Sequence, residues 1–275
     1  MSGKSAARLH VLLSRTAPTG VVIRRGPSKA VCTFGWNRSK DTFSVGQWLR
    51  GRIYERRADL SPDGKHLIYF AMNGRWTSET KGAWTAVSRA PYLKALVLLA
   101  KGDCWNGGGL FTKDRAYWLN DGYGHEVLRD SREVVRDRKY VAPAIGNNEC
   151  LGVYFPRLLR DGWQLVRRER RGGEDVSVFE RPLRGPWTLR KMAIATIDHP
   201  IGKGVYYDEH ELENSRTGQR LAFPDWEWAD ADRDRLVWAE SGMLRAAKIK
   251  SDGLTDVRTL RDFNSDQFTS IEAPY

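Results

Sequence analysis

A short turn, Ser61-Pro62-Asp63-Gly64-Lys65, leading straight into the apolar run that ends at Phe70, constrains this chain more than any other stretch. Pro62 presets φ for the second position of a β-turn, and Gly64 accepts the positive φ that residues with a Cβ resist. The run behind it is rich in β-formers, long enough for a buried strand and too short for a stable helix. The same order of turn and strand recurs. Leu159–Val166 aligns position by position with Ser61–Ile68 and keeps the Asp-Gly pair at Asp161-Gly162. Thr112–Leu119 keeps the acid (Asp114) and the apolar run without the glycine, Asp230–Trp238 is an acidic version around Asp232, and Arg24–Phe34 is a looser copy.

The Ser61–Lys65 turn and its strand resemble the SPDGK element of TolB-like and WD40-like β-propeller repeats, in which the turn joins two strands of one blade. The resemblance covers Leu60–Phe70, part of one repeat. It implies an all-β fold. The intervals from Asp63 to Asp114 and from Asp114 to Asp161 are each roughly 50 residues, the length of a four-stranded blade. The longer interval to Asp232 would hold a blade with an insertion over 196–215, or a degenerate blade. Five copies of the pattern predict a β-propeller of about five blades, with four or six as the neighbouring counts.

Secondary signals fit many short strands. Gly172-Gly173 predicts a hairpin between Leu165–Arg170 and Asp175–Glu180, and Ser241-Gly242 precedes a strand at Leu244–Ile249. In Thr42–Leu49, Phe43, Val45 and Trp48 are assigned to one face. Residues 1–18 read as a lead-in that includes Lys4, and 19–275 as a single domain. Phe268–Glu272 is expected to be a last strand that pairs with N-terminal strands and closes the ring.

Composition narrows the function classes. The 11 tryptophans suit short strands with large flat side chains between layers. Three distant cysteines, Cys32, Cys104 and Cys150, offer neither a paired-cysteine zinc site nor a disulfide framework. The longest apolar run, Ala95–Ala100, is far below a membrane span, and the N-terminal apolar stretch is too short for a signal peptide, so a cytoplasmic protein is expected. The net charge of +11 would suit a polyanion partner, yet 34 acidic residues are interleaved with the 45 basic ones.

Asp208-Glu209-His210-Glu211, with Glu213, Asp198 and His199, is the densest set of metal-ligand types, but on a strand only Asp208 with His210, or Glu209 with Glu211, share a face. A solvated acidic loop is expected there. Asp230, Asp232 and Asp234 have calcium-loop spacing without its glycine or terminal glutamate, which predicts a salt-bridged turn with Arg233 and Arg235. Gly107-Gly108-Gly109, after Asp103 and Trp105, could form an anion-binding nest or a flexible loop between strands. Trp226 and Trp228 read as packing residues. No catalytic constellation, metal site or cofactor is expected.

The binding residues expected from arginine and aromatic patterning are Trp48, Arg50, Arg52, Asp103, Trp105, Arg167, Arg168 and Arg170. Arginine alternating with Trp48 and Tyr54 suits single-stranded nucleic acid and also protein interfaces. The predicted function is a non-catalytic scaffold that binds a protein through loops on one face. Nucleic acid and glycan are the other partners considered, the latter through a ligand-binding or glycan-processing central channel.

Overall fold

The computed structural model describes residues 6–26, 29–122, 124–146 and 150–275. Lys4 and the turn residues Pro27 and Ser28 lie outside them. The fold is all-β, and the chain divides into two compact units: His10–Arg157 with Asp266–Tyr275, and Ala6–Leu9 with Leu158–Ser265.

In the first unit, β1 (Arg8–Leu13, of which His10–Leu13 belong to this unit), β2 (Thr19–Arg25), β3 (Ala30–Asn37) and β4 (Thr42–Arg50) form an open sheet in chain order. Residues 8–13, expected as lead-in, are therefore strand. A bulge sets Gly46 and Gln47 of β4 together against Thr33. The extra residue flips the alternation of side chains, and this is what puts Phe43, Val45 and Trp48 on one face despite their uneven spacing. Phe43 stacks on its cross-strand partner Trp36, with ring centroids 5.8 Å apart.

The second sheet is built from β5 (Arg52–Ile53), β6 (Asp59–Leu60), β7 (His66–Met72), β8 (Ala83–Arg89) and β9 (Ala95–Ala100). A third sheet holds β10 (Gly109–Lys113) and β11 (Ala116–Leu119). Then β12 (Glu126–Arg129) returns to the edge of the second sheet beside β9, and β13 (Val135–Arg136) pairs with β11 in parallel. The Ser61–Lys65 turn does what its residues predict: it joins β6 to β7, with Leu60 opposite Leu67. Gly64 has φ +74° and donates its N–H to Ser61 O, while Asp63 accepts from Ser61 Oγ (2.6 Å) and from Lys65 N (3.1 Å). Asp114 of the next turn copy receives the N–H of Asp63 at 3.0 Å. Beneath the turn, Leu60, Leu67, Tyr69 and Ala71 are buried with Val21, Ile23, Val31 and Trp84.

The second unit opens with the C-terminal end of the helix α1 (Leu151–Arg160). The Asp161-Gly162 turn and the strand after it stand where the Leu159–Val166 copy puts them, but the turn follows a helix and does not join two strands as Ser61–Lys65 does. Asp161-Gly162 is a helix stop: Trp163 N bonds Leu158 O and Gly162 N bonds Leu159 O, the paired bonds of a Schellman cap, with Gly162 at φ +94°. Then follow β14 (Gln164–Arg171), β15 (Glu174–Pro182), β16 (Trp187–Ala195), β17 (Tyr206–Asn214) and β18 (Arg220–Phe223), one five-stranded antiparallel sheet in chain order. The Gly172-Gly173 hairpin is formed as expected, with Arg171 opposite Glu174. Residues 206–214 are not an insertion, because β17 pairs along its whole length with β16.

The last sheet runs β19 (Trp228–Asp232), β20 (Arg235–Glu240), β21 (Met243–Lys250) and β22 (Gly253–Asp262). The acidic turn at Asp232 and the Ser241-Gly242 turn both connect paired strands, as their composition predicts. Trp226 and Trp228 are buried, and Trp226 stacks between Phe223 of β18 (3.8 Å) and Trp238 of β20 (4.8 Å), knitting the two sheets of this unit.

Phe268–Glu272 is not a strand. The tail is held to the first unit by side chains. Gln47 Nε2 donates to Ile271 O at 2.8 Å, and Phe268 packs on Trp48. Tyr275 Oη donates to Lys94 O and accepts from Arg89 N. Thr269 and Ser270 are exposed, so the segment lacks the inward-facing apolar alternation that a ladder strand needs.

Candidate functional site

One end of the second sheet gathers loops and aromatic side chains. Arg52 pairs with Met72, Trp84 with Ala100, and Ala100 with Glu126, so the 73–82 and 101–108 loops and the start of β12 all lie at this end. The two loops also touch: a Cβ at Gly102 would lie 3.3 Å from Lys81 Cβ. Trp76 and Trp105 project from them, 56% and 57% exposed.

The main chain under these tryptophans is fixed. Arg57, buried, donates through Nη1 to Cys104 O at 2.7 Å and to Asn106 O. Its guanidinium lies against both the Tyr54 and the Phe70 ring, 4.8 Å from each centroid, the two rings themselves being 5.3 Å apart. On Tyr54 rests Arg52, at 4.4 Å. Burial raises the Tyr54 pKa against the opposing pull of Arg52 and Arg57, so the phenol stays neutral. Asp103 accepts from Trp105 N (2.8 Å) and from Lys101 Nζ (3.0 Å). In the other loop, Asn73 and Gly74 both donate to Gly82 O, and the Trp76 ring packs on Gly82.

The triple glycine is not an open nest, because Gly107 N donates to Asn120 O and Gly108 N to Thr85 Oγ1; Gly107 and Gly108 close the loop between β9 and β10. A Cβ on Gly108 would fall 2.0 Å from Arg57 O, and one on Gly109 would fall 2.0 Å from Trp118 O. Close backbone approach is the requirement here.

Behind the loop sits a hydroxyl–imidazole–carboxylate row that sequence reasoning missed. Thr85 Oγ1 is 3.1 Å from His125 Nε2, His125 Nδ1 is 2.6 Å from Asp121 Oδ1, and Arg136 donates to Asp121 Oδ2 at 2.8 Å. Burial lowers the His125 pKa, which keeps the imidazole neutral. Against burial, hydrogen bonds from His125 and Arg136 hold Asp121 below the usual carboxylate range. The connectivity is that of a nucleophile relay, but Thr85 is wholly buried and accepts the Gly108 N–H at 2.9 Å. A substrate has no access to that oxygen. The row anchors the loop. Only the His125 and Asp121 residue types could have hinted at it, because the partners come from three separate segments.

The remaining expected residues separate. Trp48 and Arg50 lie on β4, where the Phe268 ring of the tail meets Trp48 (5.8 Å) and the Arg50 guanidinium (4.7 Å). Arg167, Arg168 and Arg170 belong to the second unit, exposed on β14, where Arg167 pairs with Glu169 at 3.2 Å. Trp76 was missed because nothing in Asn73–Thr80 marks it as exposed.

The acidic clusters are structural. Asp208-Glu209-His210-Glu211 is not a solvated loop but the middle of β17. As the period-two argument requires, Asp208 and His210 share the inner face. Both are buried with Lys191, whose Nζ is 3.0 Å from His210 Nε2 and 3.9 Å from Asp208 Oδ2. His210 Nδ1 donates to Trp226 O at 2.9 Å, leaving Nε2 to accept from the ammonium. Glu211 and Glu213, on the outer face, bind Arg190 and Arg220. In the acidic turn Asp232 binds Arg235 and Asp230 binds Arg181, each at 2.7 Å. Among the described residues no three His, Cys, Asp or Glu side chains are grouped to hold a metal.

No protein-family model matches the chain, and no curated protein matches it. A solved structure of a serine-to-alanine variant of AtxE2 isopeptidase with astexin3-dC4 bound is similar at a TM-score of 0.40 and 10% identity. The match covers 95% of this chain and 54% of that one, so the chain spans about half the length of that protein. A likeness at this level assigns no chemistry to the residues above.

Proposed function

We propose that the chain is a non-catalytic, cytoplasmic β-propeller scaffold whose first unit binds a protein partner through the 73–82 and 101–108 loops. The five-bladed reading is supported by five successive open sheets of three to six strands and by the Ser61–Lys65 turn joining two strands of one of them, as in TolB-like and WD40-like blades. The three cysteines are free, which suits a reducing compartment.

The observation that carries the binding reading is the pair Trp76 and Trp105. Each is more than half exposed on a main chain tied down by Arg57, Asp103 and Gly82. Large aromatic side chains on a preordered backbone give much contact area with little ordering cost, which is how interface hot spots are built. Arg52, Arg75 and Lys81, all exposed around them, suit a partner with an acidic rim.

Affinity capture from native lysate, wild type beside Trp76→Ala/Trp105→Ala, tests this reading. A protein retained by wild type should be retained about tenfold less by the variant, equivalent to about 1.4 kcal/mol, while the melting temperature is unchanged. The reading fails if no captured protein depends on these rings, or if a sugar or nucleotide, rather than a protein, stabilises wild type and not the variant.

A further inference from the structure

The second unit carries a separate surface. Strand β14, Gln164–Arg171, is the first in its sheet and, among the described residues, pairs with β15 alone. Its sequence, QLVRRERR, places Arg167, Arg168, Arg170 and Arg171 on an exposed edge with Glu169 as the strand's one acid. Glu169 is bridged by both Arg167 and Arg171, the three sharing one face at period two. Arg168 and Arg170 project from the opposite face, where Asp175 of β15 stands across from Arg170. Val166, 48% exposed, extends the edge.

The hairpin turn fixes which backbone groups face outward. Gly172-Gly173 is a two-residue turn with φ of +55° and +94°, so Arg171 and Glu174 flank it as a hydrogen-bonded pair. Alternation then directs the N–H and C=O groups of Glu169 toward β15 and those of Arg168 and Arg170 away from it, toward the open edge. The edge thus offers ladder groups and a local excess of three positive charges together. Positive charge along an edge repels a second copy of the same strand. The same charge favours an acidic one.

We propose that β14 is a docking edge for an extended acidic segment of a partner protein, which adds to the sheet as a further strand. The segment's main chain pairs with the outward groups at Arg168 and Arg170, and its carboxylates, at alternate positions, meet the arginines. This surface is independent of the tryptophan loops, so Trp76→Ala/Trp105→Ala should leave it untouched.

The test uses the full chain and a fluorescent eight-residue peptide of alternating Glu and Val, read by anisotropy. Two further probes are the same peptide N-methylated at every residue, which has no N–H to give to a ladder on either of its edges, and a single-stranded oligonucleotide. Binding of the plain peptide should fall at least tenfold with N-methylation and with Arg168→Glu/Arg170→Glu. Arg170→Pro, which removes an outward N–H that an edge strand can lose without unfolding, should weaken binding several-fold more than Arg170→Ala. Circular dichroism melts confirm that each variant is folded. The proposal is overturned if the plain peptide does not bind, if the N-methylated peptide binds as well, if Arg170→Pro and Arg170→Ala are equal, or if the oligonucleotide binds more tightly.

Discussion

Gly64→Ala puts the central turn under a quantitative test. At φ +74° an alanine pays the left-handed penalty of about 1–2 kcal/mol. Its Cβ would also arrive 2.0 Å from Thr19 Oγ1 and 3.3 Å from Ser14 Cβ, and displacing Thr19 in a packed site adds about 1–3 kcal/mol. The expected total is about 2–5 kcal/mol, which for a unit of this size lowers the melting temperature by about 4–20 °C. Gly74→Ala is the control. Its φ is +71° with nothing within 4 Å of the added Cβ, so the penalty should stay at about 1–2 kcal/mol, the backbone term alone. The clash can be isolated because the Thr19 hydroxyl is buried with no hydrogen-bond partner among the described residues. Thr19→Ala alone should therefore cost less than about 1 kcal/mol, and Thr19→Ala/Gly64→Ala should recover about 1 kcal/mol or more relative to additivity. Denaturant melts of wild type and the four variants supply every number. If Gly64→Ala costs no more than Gly74→Ala, or if the cycle is additive, the turn is not packed as described.

Other outcomes can be measured directly. Hydrogen bonds from Arg89, and then from His66, hold the Glu133 carboxyl down to about 2, below its unfolded value. A depressed carboxylate contributes stability above the unfolded pKa that is lost as pH falls through the folded one. Thermal melts should therefore show a loss between about pH 4.5 and 2 that Glu133→Gln flattens, and an unchanged slope would refute the pairing. His125, its pKa lowered by burial, should titrate below a free imidazole and carry its proton on Nδ1 when neutral; nitrogen NMR that finds it titrating at or above the free value, or protonated on Nε2 when neutral, would contradict the Thr85–His125–Asp121 row. Gly108→Ala, whose Cβ would meet Arg57 O at 2.0 Å, should destabilise the first unit by about 2–4 kcal/mol; a flexible loop would tolerate it.

What the sequence made legible follows from range. Turns are local: Pro62-Asp63-Gly64, Gly172-Gly173 and Ser241-Gly242 carry their own dihedral demands, and each connects the strands expected of it. Helix α1 was hidden because Gly152 and Pro156 argue against a helix, while what holds it is tertiary: Val153 to Leu158 are all buried. Period two correctly paired Asp208 with His210, but no pattern could reveal that Lys191 of the neighbouring strand sets its ammonium beside both. Trp105 was singled out for its setting among glycines, whereas Trp76 was not. Exposure depends on which loop packs on which, and Gly82 beneath the Trp76 ring is a contact only the fold creates.

The tail sharpens the difference between a strand and a strap. Had Phe268–Glu272 completed a ladder, removing residues 266–275 would leave a row of unsatisfied backbone groups and an aggregating protein. Instead the tail contributes Phe268 against Trp48 and Arg50, Ile271 O to Gln47, and Tyr275 to Arg89 and Lys94. Most of these contacts are partly exposed, and each is worth about 0.5–1.5 kcal/mol. The edge they leave, β4, protects itself, since the bulge at Gly46–Gln47 breaks its ladder and Arg50 charges its end. Deletion of 266–275 should therefore lower the melting temperature by several degrees and leave a protein that elutes as the parent does on size exclusion. Gln47→Ala, which removes the bond to Ile271 and the two that Gln47 accepts from Leu93 and Lys94, should reproduce part of that loss in the full-length chain. Aggregation of the truncated protein would show that the tail guards the β4 edge after all, and an unchanged melting temperature would show that its side-chain contacts hold nothing.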